Sequence, residues 1–278
     1  MSFPLRAMYD NAANRSTLSV TGAPQLQVGN LLTNNKNEVY RSAATVLSVT
    51  FTATYFSPET IGVVAFPFCN FSSTATMRVR LYSDAGCTVL LLDSGTVLCS
   101  QGAGAKVAGL TATQSASAYS YGGGTNATAW LQKTAGVYGM KIDLNDSANL
   151  QGYLEAARLV MGDYFSPMYQ AEYGATLALE DTTANFRTDA GNLLSDVGTR
   201  NKKLSLTLSF MMPSDRAALW DLVKHVGKSQ PVFLSLFPQD ADVKLEANHT
   251  IYGKFTTAST FAASQYNIYS APLEIEGL

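Results

Sequence analysis

From Lys203 to Phe210 every second residue is apolar: Leu204, Leu206, Leu208 and Phe210 alternate with Lys203, Ser205, Thr207 and Ser209. A period of two is the pattern of a strand with one face on a core and the other in water. A few residues later the period becomes helical. Leu219, Trp220, Leu222, Val223 and Val226 fall on one face, and Asp215, Arg216, Asp221 and Lys224 on the other. This spacing predicts a short helix over about 214–226 with Trp220 buried. Ser214 is its expected N-cap, Lys224 and His225 lie near its negative C-terminal end, and Gly227 closes it in the left-handed conformation. After Pro231 the stretch Val232 to Phe237 is apolar on both faces and reads as a second strand. A strand–helix–strand unit of this kind commits the chain to a sheet on which one helix packs.

At 278 residues the chain exceeds one ordinary domain, and two domains of common size account for it better. Only 14% of residues are charged and the net charge is −2, so there is no basic block to hold nucleic acid or an anionic membrane surface. No run approaches the roughly 20 apolar residues that span a bilayer, and Met-Ser-Phe-Pro-Leu-Arg at the start lacks the apolar segment of an export signal. The expectation is a protein made in a cytoplasm, with no membrane insertion. Cys69, Cys87 and Cys99 match no zinc or redox spacing and read as buried free thiols.

Residues 1–45 hold few apolar repeats and many Asn, Ser, Thr and Gly, so they read as an extended arm that leans on something else. Strand signals then crowd together at Ser48–Tyr55, Ile61–Phe68, Thr74–Tyr82, Val89–Leu92 and Thr96–Cys99. Turn residues such as Asn70 to Ser73 and Asp93-Ser94-Gly95 separate them. With Val137–Leu144 and Tyr153–Met161 added, the spacing predicts an all-β sandwich or jelly roll. Residues 101–135 shift to Gly, Ala, Ser and Thr, with a Gly122-Gly123-Gly124 triplet, and read as a surface excursion or functional loop. The turn-forming Ser166-Pro167 breaks the pattern. The expected division is therefore an arm over 1–45, a sandwich over 46–163 and a second β domain with one helix over 164–278. In the last of these, Gly174–Leu179, Ile251–Phe255 and Tyr266–Ile275 read as strands, and polar residues 181–200 as a long hairpin or loop.

A catalyst needs a constellation of groups, and none is spelled out. His225 and His249 are the two histidines, one at a helix end and one in a loop. There is no Gly-x-Ser-x-Gly elbow, phosphate loop, His-Glu-x-x-His or calcium loop. Asp84, Asp93, Asp143 and Asp146 would supply a glycosidase pair only if the fold converged them, and their commoner role is turn capping. Asp240 and Asp242 alternate in a loop, a weak signal for a cation. The expectation is no enzyme, no cofactor and no metal. What remains is aromatic. Trp130, with Tyr119 and Tyr121, offers a contact surface on which a sugar ring could stack, although a tryptophan anchoring the next strand is the commoner arrangement.

Two stretches resemble proteins of long-tailed, non-contractile bacteriophages. Ile61-Gly62-Val63-Val64-Ala65, the Asn70 turn, Met77-Arg78-Val79-Arg80-Leu81-Tyr82 and Asp93-Ser94-Gly95 are similar to the N-terminal jelly-roll module of minor tail proteins, which in shape is similar to carbohydrate-binding modules. The second half, with its helix, Tyr252-Gly253-Lys254-Phe255 and Leu273-Glu274-Ile275-Glu276, looks like the tail-tube-like domain of distal tail proteins. The resemblance implies a virion tail component at the distal tip or baseplate, assembled in the host cytoplasm. Its implied partners are itself, in a ring built through the helix and long hairpin, and other tail-tube or baseplate proteins. The alternative is an adhesin module that recognises a glycan of the host surface.

Overall fold

The computed structural model describes residues 3–100, 119–257 and 259–278. The protein is an all-β molecule; among the described residues it has two large sheets, sandwich-like in arrangement, and two short helices.

The first sheet is built on two very long antiparallel strands, Ser48–Cys69 and Thr125–Asn145. Thr76–Tyr82 and Leu90–Leu98 extend it on one side, while Ser16–Val20, Glu155–Ala156 and Val160–Gly162 pair with the 48–69 strand. Register shifts between Thr54 and Val63 bend both long strands. Their two halves thereby face each other across one core. Val49, Phe51 and Tyr55 from one half meet Ile61, Val64 and Phe66 from the other, together with Met77, Leu81, Met140 and Ile142. Ser48–Tyr55 and Ile61–Phe68, read separately in the sequence, are therefore one strand. Residues 125–135, expected in a loop, are also strand, because pairing with 61–69 overrides their weak local preference. The rest of the expected excursion, 101–118, lies outside the described residues.

The second sheet runs in the order Arg6–Met8, Val232–Ser235, Thr250–Phe255, Ile268–Gly277, Arg200–Met211 and Thr176–Asp181, with Ala262–Gln265 on the side of Ile268–Gly277. Gly253 lies where two of these strands cross most tightly. A Cβ there would come within 2.0 Å of the Glu276 carbonyl oxygen, which excludes every other residue without a backbone shift.

Helix α1, Pro213–Val226, packs Leu219, Leu222 and Val226 onto Leu204, Leu206 and Leu208. Its N-terminus is made differently from the expectation: Met212 is the cap residue without a side-chain bond and Pro213 occupies the first turn, where its missing N–H costs nothing. Gly227 closes the helix with φ 55°. Trp220, expected in the core, is 53% exposed, and its ring meets Phe261 edge-on at 5.3 Å. The buried stripe is narrower than the apolar pattern and ends at Leu219. A second displacement occurs in the strand before it. A register shift between Leu208 and Met211 puts Met211 inside and Phe210 outside, because one extra residue moves every later side chain to the opposite face. A second helix, α2 (Val243–Asn248), occupies the expected 239–248 loop and is capped by Asp242, whose carboxylate accepts from the N–H groups of Lys244 and Leu245.

Residues 3–45 are folded against the chain itself and do not form a free arm. Arg6–Met8 adds a strand to the second sheet, Ser16–Val20 joins the first, and Tyr40–Arg41 pairs with Glu155–Ala156. The opening segment thus stitches the two sheets together. Arg158, 3% exposed, ties the same region: its guanidinium donates to Asn14 Oδ1, the Leu31 carbonyl and the Tyr252 hydroxyl.

Candidate functional site

The two sheets meet where each presents a strand that is apolar on both faces. Ile61, Val64 and Phe66 point into the first core, while Val63 and Ala65 join Met8, Val160, Tyr164, Phe233 and Tyr252 in a separate cluster between the sheets. Phe233 likewise faces this junction while Val232 and Leu234 face the second core. Continuous apolar runs in strands are the signature of burial on both sides.

Trp130 belongs to this junction. Its ring meets Tyr164 edge-on at 5.5 Å and Phe233 at 6.1 Å, the Arg6 guanidinium lies 5.1 Å from its centre, and its Nε1–H donates to Glu246 Oε1 at 2.9 Å. Burial raises the Glu246 carboxyl above its ordinary value of 4.5, and the indole N–H partly offsets this. In a carboxyl raised on folding, the native protein holds its proton to higher pH than the unfolded chain. The protonated form therefore favours the fold below 4.5, and that contribution fades as pH rises through the native value. We expect the Trp130 indole N–H resonance to titrate with a midpoint above 4.5; a midpoint at or below it would contradict the burial effect.

Tyr119 is buried, and its hydroxyl donates to Glu155 Oε1 at 3.1 Å. Burial first, and then the Glu155 charge, holds this phenol well above its usual range. Tyr121 is half-buried in the same short turn, Tyr119–Tyr121. The three aromatic candidates do not share one surface. Trp130 lines a groove of about 500 Å³ with Thr128, Gln239, Asp240 and Glu246, whereas Tyr119 lines a cleft of about 430 Å³ on the side of Lys36, Phe68, Lys202 and Tyr252. Lys244 borders both, and Tyr121 lines neither.

Each of the candidate carboxylates has a local partner, and Asp93 and Asp143 stand on the two strands that flank Thr76–Tyr82. Asp84 accepts from the N–H groups of Thr88 and Val89, Asp93 pairs with Arg78, Asp143 with Arg80, and buried Asp146 accepts from the Ser72 amide. Asp240 accepts from the Asp242 amide. No group of three or more His, Cys, Asp or Glu side chains is placed to hold a metal among the described residues. The three cysteines are free and buried.

The most exposed feature is a hairpin. Thr176–Asp181 pairs with Arg200–Ser205, and the ribbon continues through Ala184–Arg187 against Leu193–Asp196. Beyond Lys203, where pairing with Ile268–Gly277 ends, the two legs run on with no third strand. The legs beyond that point are residues 179–187 and 193–202, so at about 3.3 Å per residue the projecting part is roughly 30 Å long. Phe186 and Leu194 sit directly opposite each other on it, 52% and 46% exposed, and Leu193 and Val197 are exposed beside them. The sequence marked 181–200 as a hairpin but described it as polar; the apolar pair was not recognised there.

No known protein family matches the chain, and no curated protein matches it. Several solved structures are similar to part of it. A GH29 fucosidase of Ruminococcus gnavus in complex with fucose is 11% identical over 55% of this chain, with a TM-score of 0.37, and this chain spans only 26% of that enzyme. Chitosan-binding module 1 of a chitosanase/glucanase from Paenibacillus sp. IK-5 is 10% identical over 55% of this chain and 98% of the module, with a TM-score of 0.38. A Clostridium perfringens module, CpGH89CBM32-5, in complex with GalNAc-β-1,3-galactose, is 11% identical over 55% of this chain and 100% of its own, with a TM-score of 0.34.

Proposed function

We propose that this protein is a non-catalytic structural subunit that assembles with copies of itself into a ring, as a component of the distal tip or baseplate of a bacteriophage tail. The observation that carries the assembly reading is the hairpin 176–205. A two-stranded ribbon without a third strand or a core is marginal in water, and this one displays Phe186, Leu193, Leu194 and Val197 to solvent. Its apolar side chains gain most when a neighbouring subunit covers them. A patch meeting a different patch on an identical neighbour produces a ring when the rotation closes. The tail assignment adds the resemblance of residues 61–95 and of the second half to tail proteins.

The test is the size and shape of the purified full-length protein, read by light scattering coupled to gel filtration and by negative-stain electron microscopy. Closed rings are expected. A particle of 29.8 kDa, one chain, at all concentrations up to about 100 µM would overturn the homo-oligomeric reading.

A second reading, recognition of a glycan, is favoured by the two clefts at the junction of the sheets, each with an aromatic residue in its lining. It is compatible with the first, because a ring subunit presents the same cleft many times.

A further inference from the structure

The cleft lined by Tyr119 has an unusual charge balance. Lys36, Arg200, Lys202 and Lys244 all border it, and its lining contains no Asp or Glu. Arg200 is accounted for by Asp181, at 2.8 Å. Among the described residues, no side-chain carboxylate lies within ion-pairing distance of Lys36, Lys202 or Lys244. Lys36 donates to the backbone oxygen of Leu278 and to Asn201 Oδ1, and Lys202 to the carbonyls of Ala247 and Asn248. The carbonyls of Ala247 and Asn248 are neutral and orient the Lys202 ammonium without cancelling its charge. Burial lowers the pKa of Lys36 and Lys202, the direction expected of ammonium groups held away from water.

Phe68 supplies the second half of the site. It sits at a bulge between Phe66 and Cys69 with φ 59°, a left-handed conformation in which a bulky side chain is strained and glycine is the ordinary choice. The ring is held there between Tyr119 and Tyr252, at 6.5 and 6.4 Å, with Lys36 Nζ 5.2 Å from its centre. Gly122, Gly123 and Gly124 also line the cleft, and a Cβ on Gly124 would come within 2.6 Å of the Tyr119 ring. An aromatic ring beside Lys202 and Lys244, in about 430 Å³, fits a small polar ring that bears a negative charge.

We propose that this cleft binds a saccharide carrying a carboxylate or phosphate group, with the anion held by Lys202 and Lys244 and the sugar ring resting against Phe68. The proposal rests on the second reading above, glycan recognition, and gives it a place and a ligand class. An acidic peptide would satisfy the lysines but would make no particular use of the aromatic face.

The test titrates full-length protein with glucuronate, glucose 6-phosphate, glucose and inorganic phosphate, read by ligand-observed NMR, alongside an array of neutral and acidic glycans. Glucuronate and glucose 6-phosphate should bind at least about tenfold more tightly than glucose, the discrimination that one charge-assisted contact provides. Lys244→Gln removes an exposed cation, and Phe68→Gly suits the backbone φ while deleting the ring. Each should weaken glucuronate binding at least about fivefold in a protein whose circular dichroism is unchanged. Equal binding of glucose and glucuronate, or wild-type affinity in both variants, overturns the assignment. Inorganic phosphate binding as tightly as glucose 6-phosphate reduces the cleft to a bare anion site and overturns the saccharide. Neutral glycans bound while the acidic probes are not would remove this proposal and leave glycan recognition standing; silence from every probe and the whole array would remove both.

Discussion

Replacing Phe186 and Leu194 together with glutamate should abolish the proposed assembly and leave monomers that remain folded. The two side chains face each other across the projecting ribbon, about half exposed, and belong to neither core. Covering them in a neighbour contributes on the order of 1–2 kcal/mol each by apolar area alone. A carboxylate buried there without a partner costs several kcal/mol more. Two such changes at each contact should weaken association by more than about a hundredfold, enough to empty the ring peak in gel filtration at micromolar protein. The melting temperature of the monomer should stay near that of the parent chain, because both sheets keep every core residue. Rings of unchanged size from the double variant would show that the ribbon is not the contact, whatever holds the subunits together.

The largest effect on stability should come from Glu155→Leu. Glu155 is fully buried and its carboxylate takes the Arg41 guanidinium at 2.5 Å and the Tyr119 hydroxyl at 3.1 Å. The backbone of the same residue exchanges bonds with Asn70, and its strand pairs with Tyr40–Arg41. One carboxylate therefore fastens the opening segment and the turn that carries Tyr119. Removing one partner of a buried pair leaves the other's charge poorly compensated, at a typical cost of roughly 3–5 kcal/mol. In a protein of this size that corresponds to a fall in melting temperature on the order of 10 °C. Arg41→Met with Glu155→Leu should recover part of the loss, since a pair replaced by apolar groups of similar volume is often tolerated. A single variant that melts within about 1 °C of the parent would mean that the charge is compensated elsewhere.

Much of the architecture was legible because it is periodic over short distances. The alternation of Leu204, Leu206 and Leu208, the stripe of Leu219, Leu222 and Val226, and Gly227 at the helix end are local patterns, and the structure realises each. The both-faced apolar character of Val232 to Phe237 was also legible, though the surface that covers its second face was not. Other positions resisted the same reading. Phe210 and Met211 exchange places because of a register shift, and a shift depends on the partner strand, Ile268–Gly277, nearly sixty residues away. Trp220 was assigned to the core because hydrophobicity alone does not say how wide a helix face the sheet covers.

The sequence by itself determined the class of the protein: strand-rich, low in charge, with one amphipathic helix before a buried strand, and without a spelled-out catalytic or metal motif. Only the tertiary structure decided that residues 3–45 stitch both sheets instead of reaching outward, and that Trp130 and Tyr119 face different clefts. It alone gathers Lys36, Lys202 and Lys244 around Phe68, residues separated by more than two hundred positions in the chain. The physical reason is range. Side-chain period and caps are set by neighbours a few residues apart, whereas a cleft between sheets is set by strand register, by bulges and by which apolar face finds another to cover it.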